Sequence, residues 1–210
     1  QTFRKTGGAV SRMTVNFYEQ DKRASEAEGL ALTKQQTFNG VMGASGVRKL
    51  SESIFQGNEN EEKLDQTQTY RKSGSVSRTT INFYEGSVRA ASAEGLALTR
   101  QQTYNGDVGQ EGVRKLSESI FQGFENEEKL DYTQTFRKTG GAVSRMTVNF
   151  YEGDVRAASA EGLALSKQQT FNGEMGKPGV RQLSESVFQG QENEEKLDYT
   201  QTFRHDQTTV

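Results

Sequence analysis

Apolar and polar residues alternate along several short stretches of this chain. In residues 145–150 the apolar side chains occupy every second position, and Leu163, Leu165 and Phe171 share one parity in the segment that follows. A period of two residues is the pattern of a strand with one buried face. These stretches therefore predict β-strands.

Turn signals separate these stretches. In the middle of the chain, four segments end in an aromatic residue beside a turn: residues 82–86, 103–106, 120–123 and 135–138. The dipeptides Asn105-Gly106 and Asn172-Gly173 favour tight type I′ hairpins, because both central residues of that turn need positive φ. The pattern predicts an all-β, mostly antiparallel meander.

Two segments carry a pattern that a helix could also explain. Val180, Leu183, Val187 and Phe188 fit a helical stripe, with proline before and glycine after them. The equivalent residues 47–55 pose the same choice between a strand and a short helix. The alanine-rich residues 155–160 are compatible with a helical turn, so we expect a mostly β fold with low helix content.

The chain is a tandem repeat. The string Gln-Thr-aromatic-Arg begins at positions 1, 68, 134 and 201, after intervals of 67, 66 and 67 residues. Three repeats of about four strands each are predicted, with a fourth begun at the end of the chain. Their bounds are 1–67, 68–133 and 134–200, followed by the start of a closing strand and a tail in 201–210.

Each repeat has few large apolar side chains, so neighbouring repeats must share a core. The recurrence of the opening string at the end of the chain would let the last strand pair with the first. We therefore expect a closed, barrel-like body with pseudo-threefold symmetry and paired terminal strands. An extended stack, or self-association of one chain's end with another chain's start, is the alternative.

Composition removes several classes of function. The chain has no Cys, which excludes disulfides and thiol chemistry, and its one histidine, His205, lies in the tail. No catalytic residues are predicted, and we expect a protein that is not an enzyme. Lys and Arg number 26 against 28 Asp and Glu, a balance that favours neither nucleic acid nor an anionic membrane.

The apolar content is low, at 31% with a mean hydropathy of -0.83, and no apolar run is long enough for a transmembrane helix. The chain opens on Gln1 without a signal-peptide pattern, so we expect a processed or trimmed chain. The acidic residues Glu59, Glu61, Glu62 and Asp65 recur in every repeat but lack the spacing of a calcium loop. Neither a metal nor a cofactor is predicted.

Three copies of one loop suggest multivalent binding, because repeated weak sites bind arrayed ligands with avidity. Glycans are arrayed ligands, and an aromatic face with nearby Arg and Asn side chains suits a sugar. The same residues also suit hairpin structure alone. The predicted ligand-binding residues are Phe38, Asn39, Gly40, Arg48, Tyr104, Asn105, Gly106, Arg114, Phe171, Asn172, Gly173 and Arg181.

At this loop the sequence resembles the tandem-repeat agglutinins that bind high-mannose glycans, known from cyanobacteria, algae and myxobacteria. The matching segments are Thr-Phe-Asn-Gly-Glu at 170–174, Pro-Gly-Val-Arg at 178–181 and the pair Gly140-Gly141. The resemblance implies a related fold and glycan or glycoprotein partners. The family's tryptophan-containing segment has no counterpart in a chain without Trp, so mannose specificity does not carry over.

Other functions remain open at the level of sequence. Uniform polar repeats with complementary ends also suit a structural or adhesive subunit, a matrix or filament protein assembled through strand edges. A barrel that holds a small apolar ligand is a third hypothesis. Repeats and polarity favour an extracellular or cell-surface location.

Overall fold

The computed structural model describes residues 2–3 and 10–204. His205 and the rest of the C-terminal tail lie outside the described residues, as do residues 1 and 4–9. The chain divides into two compact units: Gln1–Gly95 with Thr103–Arg114, and Leu96–Gln102 with Lys115–Val210.

The first unit is built from antiparallel strands, each paired with the next along the chain. Two 3-10 turns follow each of β2 and β6. The strands are β1 Thr2–Phe3, β2 Val10–Tyr18, β3 Leu32–Phe38, β4 Lys49–Gln56, β5 Lys63–Tyr70 and β6 Val76–Tyr84, and the turns are Glu19–Asp21, Ala24–Glu26, Glu85–Ser87 and Ala90–Ser92.

The second unit repeats this plan with antiparallel neighbours. Strand β7, Leu98–Tyr104, has residues in both units. The remaining elements are β8 Lys115–Gln122, β9 Lys129–Phe136, β10 Val143–Tyr151, β11 Leu165–Phe171, β12 Gln182–Gln189 and β13 Lys196–Thr202, with 3-10 turns at Glu152–Asp154 and Ala157–Ser159. The prediction of an all-β, antiparallel fold is confirmed.

The segments that could have been helical are resolved by the structure. The stretch that holds Val187 and Phe188 is strand β12, and its equivalent in the first repeat is strand β4. Residues 155–160, which are compatible with a helical turn, contain the 3-10 turn Ala157–Ser159. No helix in the described part of the chain is long and apolar enough to span a membrane.

Small residues form much of the core. In the second unit, buried Tyr151 packs with Ala157 of a 3-10 turn and with Ala160 just after it, and Val155, Leu163 and Leu165 surround them. In the first unit Tyr84, Ala90 and Ala93 are buried to the same degree. The alanines allow the turn to lie close against the sheet, which is how a chain with few large apolar side chains encloses a core.

The expectation of a closed barrel with paired terminal strands is not supported. The strand order runs from β1 to β13 in the order of the chain, and among the described strands β13 pairs with neither β1 nor β2. Strand β1 has two residues, and both pair with β2. Strand β13 pairs with β12, and all seven of its residues are exposed.

Candidate functional site

The predicted ligand loops connect paired strands in each repeat. They run from Asn39 to Arg48 after β3, with equivalents at 105–114 and 172–181. Each loop holds ten residues, because β3 ends at Phe38 and β4 begins at Lys49. The prediction of tight two-residue type I′ turns is therefore wrong.

The asparagine of each loop closes its neck. The Arg48 backbone N–H donates to Asn39 Oδ1 at 2.7 Å, and the Asn39 N–H donates to the Arg48 carbonyl oxygen at 3.2 Å. The same pair joins Asn105 to Arg114 and Asn172 to Arg181, with side-chain distances of 2.7 and 2.8 Å. The structure brings the predicted Asn and Arg together, but through the arginine backbone.

The glycine after each asparagine allows a close approach. A Cβ atom on Gly40 would lie 2.7 Å from Val47 Cγ2, and on Gly173 it would lie 2.8 Å from Val180 Cγ2. Neither glycine has positive φ. The Asn-Gly dipeptide thus reflects an asparagine hydrogen bond and the packing of the glycine against a valine.

The side chains of two of these arginines differ in their contacts. Arg48 Nη1 donates to the Tyr70 carbonyl oxygen at 3.4 Å. Arg181 Nη1 is buried and has no hydrogen-bond partner among the described residues. The aromatic residues Phe38, Tyr104 and Phe171, at the strand ends before each loop, are half-buried.

A residue below each loop supports it. The Met42 and Met175 backbone N–H groups donate to the sulfur atoms of Met13 and Met146, at 3.5 and 3.4 Å. In the middle repeat Thr79 takes the place of methionine, and its hydroxyl donates to the Gly106 carbonyl oxygen at 2.7 Å. The sequence reasoning missed this role, since a methionine in an alternating strand indicates only burial.

In the third repeat the loop forms one wall of an open cleft of about 550 Å³. The other wall is the turn between β9 and β10, because both connections lie at the same end of the strands. Polar lining comes from Arg137, Asn172, Glu174 and Lys177, and backbone from Gly141, Gly173, Pro178 and Gly179. Phe171 and Arg181 are not among the lining residues.

Charge at the cleft is carried by exposed side chains. Glu174 and Lys177 face each other at 3.8 Å, and their side chains are 46% and 62% exposed. At this exposure the pair contributes little to stability, so both groups stay available to hydrogen-bond a ligand.

A carboxylate lies on the strand that follows each loop. Partial burial alone would raise the pKa of Glu52, but hydrogen bonds from Lys49 and Gln36 outweigh it and lower the pKa below its ordinary value. Burial, Gln102 and Lys115 act on Glu118 in the same way, with the same net lowering of its pKa. These carboxylates are held charged by their partners in the sheet.

The described residues show no cluster of three or more His, Cys, Asp or Glu that could hold a metal ion. The arrangement presents hydrogen-bond donors, acceptors and exposed backbone at the ends of antiparallel strands. Such a surface is suited to recognising a polar ligand.

Comparison with known proteins adds little to this geometry. No protein-family model matches the chain, and no curated protein matches it. A solved structure of a protein of unknown function from Bacteroides fragilis NCTC 9343 is 9% identical, with 91% of each chain covered and a TM-score of 0.18. A similarity at this level supports no conclusion about fold or function.

Proposed function

We propose that this chain is a non-catalytic carbohydrate-binding protein, a lectin, whose ligand lies in the clefts between neighbouring hairpin loops. The observation that carries the proposal is the cleft of about 550 Å³ in the third repeat. Its two walls contain Asn172, Gly173 and Gly141, which belong to the segments that resemble the agglutinins.

The chemistry of the cleft fits a polyhydroxylated ligand. A carboxylate such as Glu174 accepts hydrogen bonds from vicinal hydroxyls, while Arg137 and Lys177 donate to ring and hydroxyl oxygens. Glycines in both walls let the ligand approach the backbone. The hydrogen bond at Asn172 holds the loop that forms this wall in place. Binding a ligand therefore costs little conformational entropy of the loop.

The repeats supply related loops with different rims. The position of Glu174 is Asp107 in the second repeat and Val41 in the first. Asp107 Oδ1 accepts a hydrogen bond from Gln68 Nε2 at 3.0 Å, so its carboxylate is already held in the structure. Multivalent binding would therefore use several loops of related shape, and the loop of the third repeat has the strongest polar rim. An extracellular or cell-surface location suits such a protein.

The site is tested with a charge-removing pair of substitutions. The double variant Glu174→Ala/Lys177→Ala is compared with Asp154→Ala/Lys167→Ala, which removes an ion pair of 2.6 Å at the other end of the same strands. Binding of fluorescently labelled protein to erythrocytes is measured by flow cytometry, with free sugars as competitors. Loss of charge-assisted hydrogen bonds predicts binding at least about tenfold weaker for the cleft variant.

The control variant is expected to bind like the wild type. Equal binding by the two variants would reject this cleft as the site. Binding that no free sugar competes would reject a carbohydrate ligand.

The alternative function, a structural or adhesive subunit assembled through strand edges, is favoured by a different observation. Every residue of β13 is exposed, whereas the equivalent strands β5 and β9 are half-buried.

A further inference from the structure

Strand β13 exposes side chains that its equivalents in the chain keep covered. Leu197 is 57% exposed and Tyr199 is 44% exposed. In β9 the corresponding residues, Leu130 and Tyr132, are half-buried. The difference arises because β10 and the turn Ala157–Ser159 lie against β9, while among the described residues only β12 pairs with β13.

The covering of β9 depends on specific polar contacts. Asn149 Nδ2 and Tyr151 Oη both donate to the Leu130 carbonyl oxygen, at 3.0 and 2.8 Å. Arg156 Nε donates to Asp131 Oδ1 at 2.8 Å. The first unit repeats these contacts on β5: Asn82 and Tyr84 donate to the Leu64 carbonyl oxygen, and Arg89 forms an ion pair with Asp65.

A lysine completes the contact in the second unit. Lys129 Nζ donates to the Leu163 carbonyl oxygen at 2.7 Å, lies 2.5 Å from Glu192 Oε1, and lies 5.1 Å from the centre of the Tyr151 ring. Its side chain is only 12% exposed. The carbonyl, the carboxylate and the ring together form a socket for an ammonium group.

The same socket stands open beside β2. A cleft of about 660 Å³ is lined by Tyr18, Leu30 and Glu59, the equivalents of Tyr151, Leu163 and Glu192. Arg23 and Ala24, beside it, are exposed, whereas the equivalent Ala90 and Ala157 are 3% exposed. Of the described residues, only Thr2 and Phe3 pair with the outer edge of β2, at Arg12 and Val10.

We propose that β13 of one molecule adds to the free edge of β2 in a second copy of this chain. The β9–β10 register places Tyr199 opposite Val15 and Thr200 opposite Thr14. Lys196 then enters the socket at Glu59, and Asp198 meets Arg23. The Leu197 carbonyl oxygen accepts hydrogen bonds from the Asn16 and Tyr18 side chains. Both charge pairs, Lys196 with Glu59 and Asp198 with Arg23, bring opposite charges together.

Strand β1 limits the length of the added strand. Thr2 and Phe3 already hold the start of the β2 edge, so the incoming strand pairs through residues 196–201, and Thr202 competes with Thr2. Among the described strands, each molecule has one β13 and one β2. The association is therefore heterologous and adds molecules one after another. It does not depend on any carbohydrate ligand.

The test is sedimentation velocity of the purified chain over a range of concentrations. The wild type is expected to sediment faster as its concentration rises. Arg23→Asp places two carboxylates at the contact and Asp198→Arg places two guanidinium groups there, so each variant alone is expected to remain a monomer. An equimolar mixture of the two restores opposite charges at every contact and is expected to associate.

Asp154→Arg reverses a carboxylate that is 73% exposed and lies in the connection between β10 and β11, and this control is expected to associate like the wild type. Circular dichroism checks that each variant is folded. The proposal is overturned if the wild type remains a monomer at every concentration. A chain whose β13 pairs with its own β2 would also give this result. It is also overturned if either single variant associates as the wild type does.

Discussion

At the scale of single residues, Gly173 shows how one atom sets the shape of a loop. It is buried, and a Cβ atom there would lie 2.8 Å from Val180 Cγ2. Gly106 faces Val113 in the same way, at 2.9 Å. The loop can fold back over the end of its strand because this position has no side chain.

Gly173→Ala is therefore expected to destabilise the protein by about 1–3 kcal/mol, as overpacking does. Val180→Ala removes the methyl group that the new Cβ would meet. The double variant should be more stable than the sum of the two single effects predicts, because the two positions share one contact. Urea unfolding of the four proteins measures this coupling, and strict additivity would contradict it.

For the Asn-Gly dipeptide, the sequence predicted the position of the chain reversal but not the role of the two residues. It was correctly located at the end of a strand, where chain reversal occurs. Its role was misjudged because the hydrogen bond from the Arg181 N–H to Asn172 Oδ1 joins residues nine apart, which no local turn preference describes. Lys177 was missed as a residue of the cleft because only the fold brings its loop beside Gly141.

At the scale of elements, bulges explain why alternation was hard to read. The register of β12 with β13 shifts between Val187 and Phe188, so two adjacent apolar residues occur within one strand. Their spacing from Leu183 then imitates a helical stripe. In β10 the register shifts between Phe150 and Tyr151, and Asn149 is buried where alternation predicts exposure. The strands themselves were predictable, because alternation holds between the bulges.

The carboxylates of the sheet make stability depend on pH. The pKa of Glu118 is lowered in the folded protein, so its charged form stabilises the fold above its ordinary pKa of 4.5. This contribution is lost as the pH falls through the lowered folded value.

Glu118→Gln keeps a similar shape but cannot titrate. The variant is expected to be less stable than the wild type at neutral pH and to lose less stability between neutral pH and about pH 3. Chemical unfolding at a series of pH values measures both slopes. Parallel slopes for the two proteins would show that Glu118 is not linked to folding.

For the whole molecule, the repeated sequence does not determine what the first and last strands pair with. Each strand of the β9 type matches a strand of the β2 type, so local complementarity fits closure, stacking and self-association equally well. The sequence therefore predicted complementary terminal strands and favoured closure, which the pairing of the described strands does not support. The exposed Leu197 and the open socket at Glu59 distinguish the edges of β13 and β2 from the equivalent strands inside the chain. The repeated sequence alone does not make this distinction.

Carbohydrate binding is tested first by a glycan array with the folded wild type. We expect binding to a defined group of glycans, competed by the free sugar and lost in Glu174→Ala/Lys177→Ala. An array on which the folded wild type binds no glycan would show that the protein is not a lectin. Edge-to-edge association would be unaffected by that result, since its contacts involve β13 and β2 rather than the cleft.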